Sequence, residues 1–149
     1  MFLSIFDIFK VGIGPSSSHT MGPMQAAGRF LHLCSATALP DGPLMLGCRL
    51  YGSLAYTGEG HGTIRAVYCG LLGMMPASYD RETANAALAE LDRSGTVRLP
   101  NGRRLRLSPQ AVTVEKGQRP PLHPNGMTFI LSTAEGREVM AESYYSIGG

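Results

Sequence analysis

Nine residues from Gly12 to Thr20 hold two glycines, a proline, three consecutive serines, a histidine and a threonine. Such a run placed just before a helix gathers hydroxyl and amide donors at the positive end of the helix dipole, where a carboxylate or phosphate is held well. Plain capping by Ser18 or Thr20 is the simpler use of the same residues. A second stretch sets His61 between Gly60 and Gly62. A backbone without side chains lets an imidazole approach a ligand closely, and its reference pKa of about 6.5 suits proton removal near neutral pH. Capping or simple exposure would account for the same histidine.

Other chemistries fit less well. Ser16, Ser17 and Ser18 adjoin His19, but adjacency in sequence does not create a nucleophile–base hydrogen bond, and no strand–GxSxG–helix elbow is present. Gly58, Gly60 and Gly62 alternate without a GxGxxG or a GKS/GKT, so a nucleotide loop is not indicated. Cys34, Cys48 and Cys69 lie far apart in apolar segments and read as buried thiols rather than metal ligands. His32 reads as a packing histidine within a helix. His123 and Asn125 stand in PPLHPNGM, where turn chemistry explains the remaining residues.

The elements that must position these groups follow from periodicity. Met24, Ala27, Phe30, Leu31 and Cys34 recur at helical spacing and predict a helix from about Met21 to Ala36, with Pro23 in its first turn. A Pro-Asp-Gly-Pro turn at Pro40 to Pro43 precedes LMLGCRLYG, which reads as a core strand. Ile64, Val67, Tyr68 and Leu71 mark a second helix, and Glu82 to Asp92 a third that ends at Ser94-Gly95. From Thr96 the period becomes two. TVRL and RRLRL flank Asn101-Gly102 as a hairpin, AVTVEK, MTFILST and REVMAESYYS continue as strands, and Ala134-Glu135-Gly136 makes the last turn. The expected fold is α+β, with helices on one face of a mainly antiparallel sheet.

Its 149 residues, 44% hydrophobic and 16% charged, suit one domain spanning 1–149. A net charge of +2, with Arg103, Arg104 and Arg106 on one solvated strand, argues against nucleic acid. The first nine residues are apolar but broken by Asp7 and lack the layout of a signal peptide or membrane span. The chain stops at Ser146 to Gly149 straight after a strand, which reads as one module of a larger enzyme.

Taken together, SIFDIFKVGIGPSSSHTMGPMQAA, YGSLAYTGEGHGT, HPNGM and SYYSIGG resemble, in order and over almost the whole chain, the N-terminal or β domain of the iron–sulfur-dependent L-serine dehydratases. The resemblance implies conversion of L-serine to pyruvate and ammonia in the cytoplasm, without pyridoxal phosphate. It further implies a [4Fe–4S] cluster, held by cysteines of an absent α domain or subunit, that acts as Lewis acid on the serine hydroxyl. On the same basis His61 is the base for the α-proton, with His19 a second catalytic candidate, while Ser16, Ser17, Ser18 and Thr20 line the substrate. Tyr51, His123, Asn125 and Tyr144 are positioning candidates. The expected partners are L-serine, the cluster-bearing α part and, in a homo-oligomer, a second copy. The chain alone is expected to hold no cofactor and to be inactive. This domain also resembles the allosteric serine-binding domain of some phosphoglycerate dehydrogenases, which leaves a regulatory serine-binding module, or a dimerisation module, as the competing reading. His61 separates them, because an anion-binding module does not need a base.

Overall fold

A computed structural model describes residues 21–52, 62–115 and 125–145. Helix α1 spans Met21–Ala36, and the residues that the sequence places on its apolar face, Met24, Ala27, Phe30, Leu31 and Cys34, are all buried. Strand β1 (Leu44–Gly52) follows, then helix α2 (Thr63–Leu71), a single 3-10 turn at Pro76–Ser78 and helix α3 (Arg81–Ser94). Asp80 caps α3 by accepting from the Thr83 amide at 2.8 Å and the Thr83 hydroxyl at 2.7 Å. Gly95 closes the helix in the left-handed region at φ 66°, a conformation that glycine adopts without steric penalty.

Five further strands complete the sheet among the described residues: β2 (Thr96–Arg98), β3 (Arg104–Arg106), β4 (Val112–Val114), β5 (Asn125–Thr133) and β6 (Glu138–Tyr145). The order is β2-β3-β1-β5-β6, with β4 also paired to β1. The pairs β2–β3, β1–β5 and β5–β6 are antiparallel, whereas β3 and β4 both join β1 in parallel. The fold is therefore α+β around a mostly antiparallel sheet. The Asn101-Gly102 turn joins β2 to β3, with the Arg103 amide donating to Asn101 Oδ1 at 2.9 Å. The AVTVEK stretch contributes three residues to the sheet, held at its ends by bonds from Cys48 N to the Ala111 carbonyl and from Glu115 N to the Leu50 carbonyl, both 2.9 Å.

Alternation sorts the long strands into two faces. Leu44, Leu46, Cys48 and Leu50 of β1 and Met127, Phe129 and Leu131 of β5 are buried, and side chains from all three helices join them in one core. Phe129 sits at the centre, stacked on Phe30 of α1 at 5.3 Å and meeting the edge of Tyr144 at 5.5 Å, both favoured ring arrangements. Helices α1 and α2 touch backbone to backbone at Gly70. A Cβ there would overlap the Met24 carbonyl oxygen and lie 2.7 Å from Ala27 Cβ. Glycine is the residue that this crossing admits.

One expectation for α1 is corrected. His32 is exposed rather than packed, because position 32 turns away from the stripe formed by Phe30, Leu31 and Cys34.

Candidate functional site

Helix α2 starts from Gly62, whose φ of 75° and ψ of 17° lie in the left-handed region. The second glycine of the Gly-His-Gly triplet is thus required by the backbone, which turns into the helix directly after His61. Thr63, the next residue, is fully buried. The first turn of α1 lies against this start. Met21 and Met24 of α1 and Gly62, Arg65, Ala66 and Cys69 of α2 line one open cavity of about 260 Å3, together with Pro76 and Tyr79.

The wall of this cavity is positive. Arg65 donates to Tyr79 Oη at 3.3 Å and to Asn85 Oδ1 at 2.6 Å. Both partners are neutral, so these bonds orient the guanidinium without cancelling its charge. Burial raises the Cys69 thiol above its ordinary pKa, with the Arg65 charge acting the other way. Burial likewise pushes the Cys34 thiol up to about 12 and raises that of Cys48. These protonated, separated thiols do not fit the ligand set of an iron–sulfur cluster, which requires thiolates converging on one centre. Among the described residues no group of three or more His, Cys, Asp or Glu side chains is placed to hold a metal ion.

A second gathering point is one end of the sheet. Strand β1 ends at Gly52, β5 begins at Asn125 and β6 ends at Tyr145. The register pairs Gly52 with Asn125, Tyr51 with Gly126, and Gly126 with Tyr145. The sequence candidates Tyr51, Asn125 and Tyr144 are therefore brought to the same end by strand pairing. They are not equivalent there. Tyr144 is 2% exposed and its ring is part of the core. Tyr51 and Tyr145, half-buried, stand on the opposite face on either side of Gly126. Sequence reading selected Tyr144 and passed over Tyr145, although strand alternation makes two adjacent tyrosines face opposite ways; it also passed over Arg65, whose only signal was its position in the first turn of a helix. Ser16, Ser17, Ser18, His19, Thr20, His61 and His123 lie outside the described residues.

Comparison with known proteins identifies the family. The model of the serine dehydratase beta chain family matches residues 4–149. The L-serine dehydratase of Streptomyces coelicolor is 41% identical over 150 residues, covering 100% of this chain and 33% of the relative. That of Mycobacterium tuberculosis is 40% identical, covering 100% of this chain and 32% of the relative. L-serine dehydratase 1 of Escherichia coli is 39% identical, covering 99% and 32%. The chain thus spans about a third of the length of these curated relatives. With the match running from the segment ahead of the serine-rich loop to the last residue, and the two helix starts that follow the motif histidines sharing one cavity, the chain belongs to the serine dehydratase beta chain family.

Proposed function

We propose that this chain is the β part of an iron–sulfur L-serine dehydratase, contributing the groups that bind L-serine and the base that removes its α-proton. The observation that carries this reading is that Met21 and Gly62, the residues following the serine-rich loop and His61, line a single cavity. Two motif segments that are about forty residues apart in sequence rejoin the fold at one place. Their helix starts and the Arg65 guanidinium supply the positive environment that a substrate carboxylate needs.

In this reading Ser16, Ser17, Ser18 and Thr20 hold the substrate at the start of α1, and His61 takes the proton from Cα. As the Cα–H bond breaks, its electron pair forms the Cα–Cβ double bond and the hydroxyl leaves Cβ with a proton as water. The resulting 2-aminoacrylate becomes its imine, which water hydrolyses to pyruvate and ammonia. His19 is the second group able to hold or return a proton. Tyr51, His123 and Asn125 orient the substrate from the sheet end, with Tyr144 anchoring that end from the core. The three thiols of this chain do not suit a cluster, so its ligands belong to the part of the enzyme beyond this chain, and the isolated chain is inactive.

The test uses the full-length enzyme prepared anaerobically. His61→Ala, with cluster content verified by absorbance, is expected to keep serine binding and to lose at least about 100-fold in kcat, the lower range for removal of a general base. Turnover within a few-fold of wild type would move the base elsewhere and favour a regulatory serine-binding role.

A further inference from the structure

The face of the sheet turned away from the helices forms a three-by-three grid defined by register. Its rows are Tyr51–Gly126–Tyr145, Arg49–Thr128–Ser143 and Gly47–Ile130–Ala141. An antiparallel sheet with one face in water ordinarily alternates apolar residues inside with charged or strongly polar residues outside. Here one position in nine is charged, and Arg49 is also the one exposed member. The Thr128 and Ser143 hydroxyls are spent on each other at 2.8 Å. In the top row a buried glycine, Gly126, lies between two half-buried tyrosines. Among the described residues no helix or strand covers this face and no carboxylate pairs with Arg49.

We propose that this grid is the surface on which the remainder of the full-length serine dehydratase docks, with apolar side chains packing against the Tyr51–Gly126–Tyr145 row and a carboxylate meeting Arg49. The proposal rests on the reading of this chain as one part of that enzyme. Three observations favour that occupant. The relatives carry most of their length beyond the third that this chain matches, so in them a large partner surface accompanies the matched third. Three strands at a spacing of about 4.8 Å, each about 20 Å long, present roughly 300 Å2 a side, or about 600 Å2 in all, which falls at the lower end of interdomain interfaces. The tyrosine row also lies at the sheet end where β1, β5 and β6 meet the motif-bearing stretches. A domain seated on the grid would leave the helices in place and bring its own groups to the sheet end where β1 stops and β5 begins.

The experiment places a photo-crosslinking phenylalanine analogue at Ala141, and separately at Ser143, in the full-length enzyme. A hydroxyl-radical pulse on the unmodified enzyme provides an independent readout from Met45, the next residue on this face of β1, and Met75, which is remote from it. Their exposures of 37% and 60% in this chain would give oxidation rates within a factor of about two, whereas burial in the core of an interface should slow Met45 at least about tenfold relative to Met75. Crosslinks to peptides beyond this chain together with that protection are the expected result. Crosslinks to residues 1–149, of the same or an isotope-distinguished second copy, would overturn the proposal, as would oxidation of Met45 at a rate near that of Met75. Neither readout depends on His61, so loss of the base assignment would leave the docking result standing, and the reverse.

Discussion

The two faces of strands β1, β5 and β6 are made by the same residues in alternation, yet they differ in what completes them. On one face Leu46, Cys48, Leu50, Phe129 and Tyr144 are buried beneath helices of this chain. On the other, the rows around Gly126, Thr128 and Ile130 are half-buried at most positions and carry a single charge. The first face accounts for folding. The second is poorer in charge than a water-facing sheet ordinarily is, which fits the docking role proposed for it.

Substitutions on adjacent residues of one strand can break or sharpen this contrast. The largest effect is expected for Phe129→Ala, which removes a ring touching both Phe30 and Tyr144 and should destabilise the chain by about 3–5 kcal/mol in urea unfolding. A loss below about 1 kcal/mol would mean that the helices do not seal this face. Gly70→Ala comes next. In an open helix the change would stabilise by about 1 kcal/mol, but the Met24 carbonyl and Ala27 occupy the space that the new methyl needs. The expected sign is reversed, to a destabilisation of about 1–3 kcal/mol, measured as a shift in the unfolding midpoint. Thr128→Ala, one residue from Phe129 but on the grid, should cost under about 1 kcal/mol because it forfeits one cross-strand hydroxyl pair. A loss as large as that of Phe129→Ala would show that residues of this chain itself seal the grid.

Much of the fold was legible because its signals are local. Asp80 and Gly95 bracket α3 with capping chemistry visible in the sequence, and the predicted helix needed extension by one residue at its start and two at its end. The face of α1 was read correctly from spacing, whereas His32 was misjudged because apolar neighbours in sequence are not neighbours in space on a helix. Of the site, the motif triplet around His61 and the serine-rich loop were recognisable by type and order. The proximity of the two helix starts was not, because α1 and α2 are separated in sequence by a strand and come together through tertiary packing, closest at Gly70.

By itself, the sequence determined where helices and strands form, which stripe of α1 is apolar, that the cysteines pack as thiols, and which family the chain resembles. These depend on residue type and short-range period. Tertiary structure alone decided that β3 and β4 run parallel to β1, that Tyr145 rather than Tyr144 shares a face with Tyr51, and that Met21 and Gly62 wall the same cavity. Alternation announces two faces to a strand, but its neighbours, its register and the face that meets the helices are set by contacts between residues far apart in the chain.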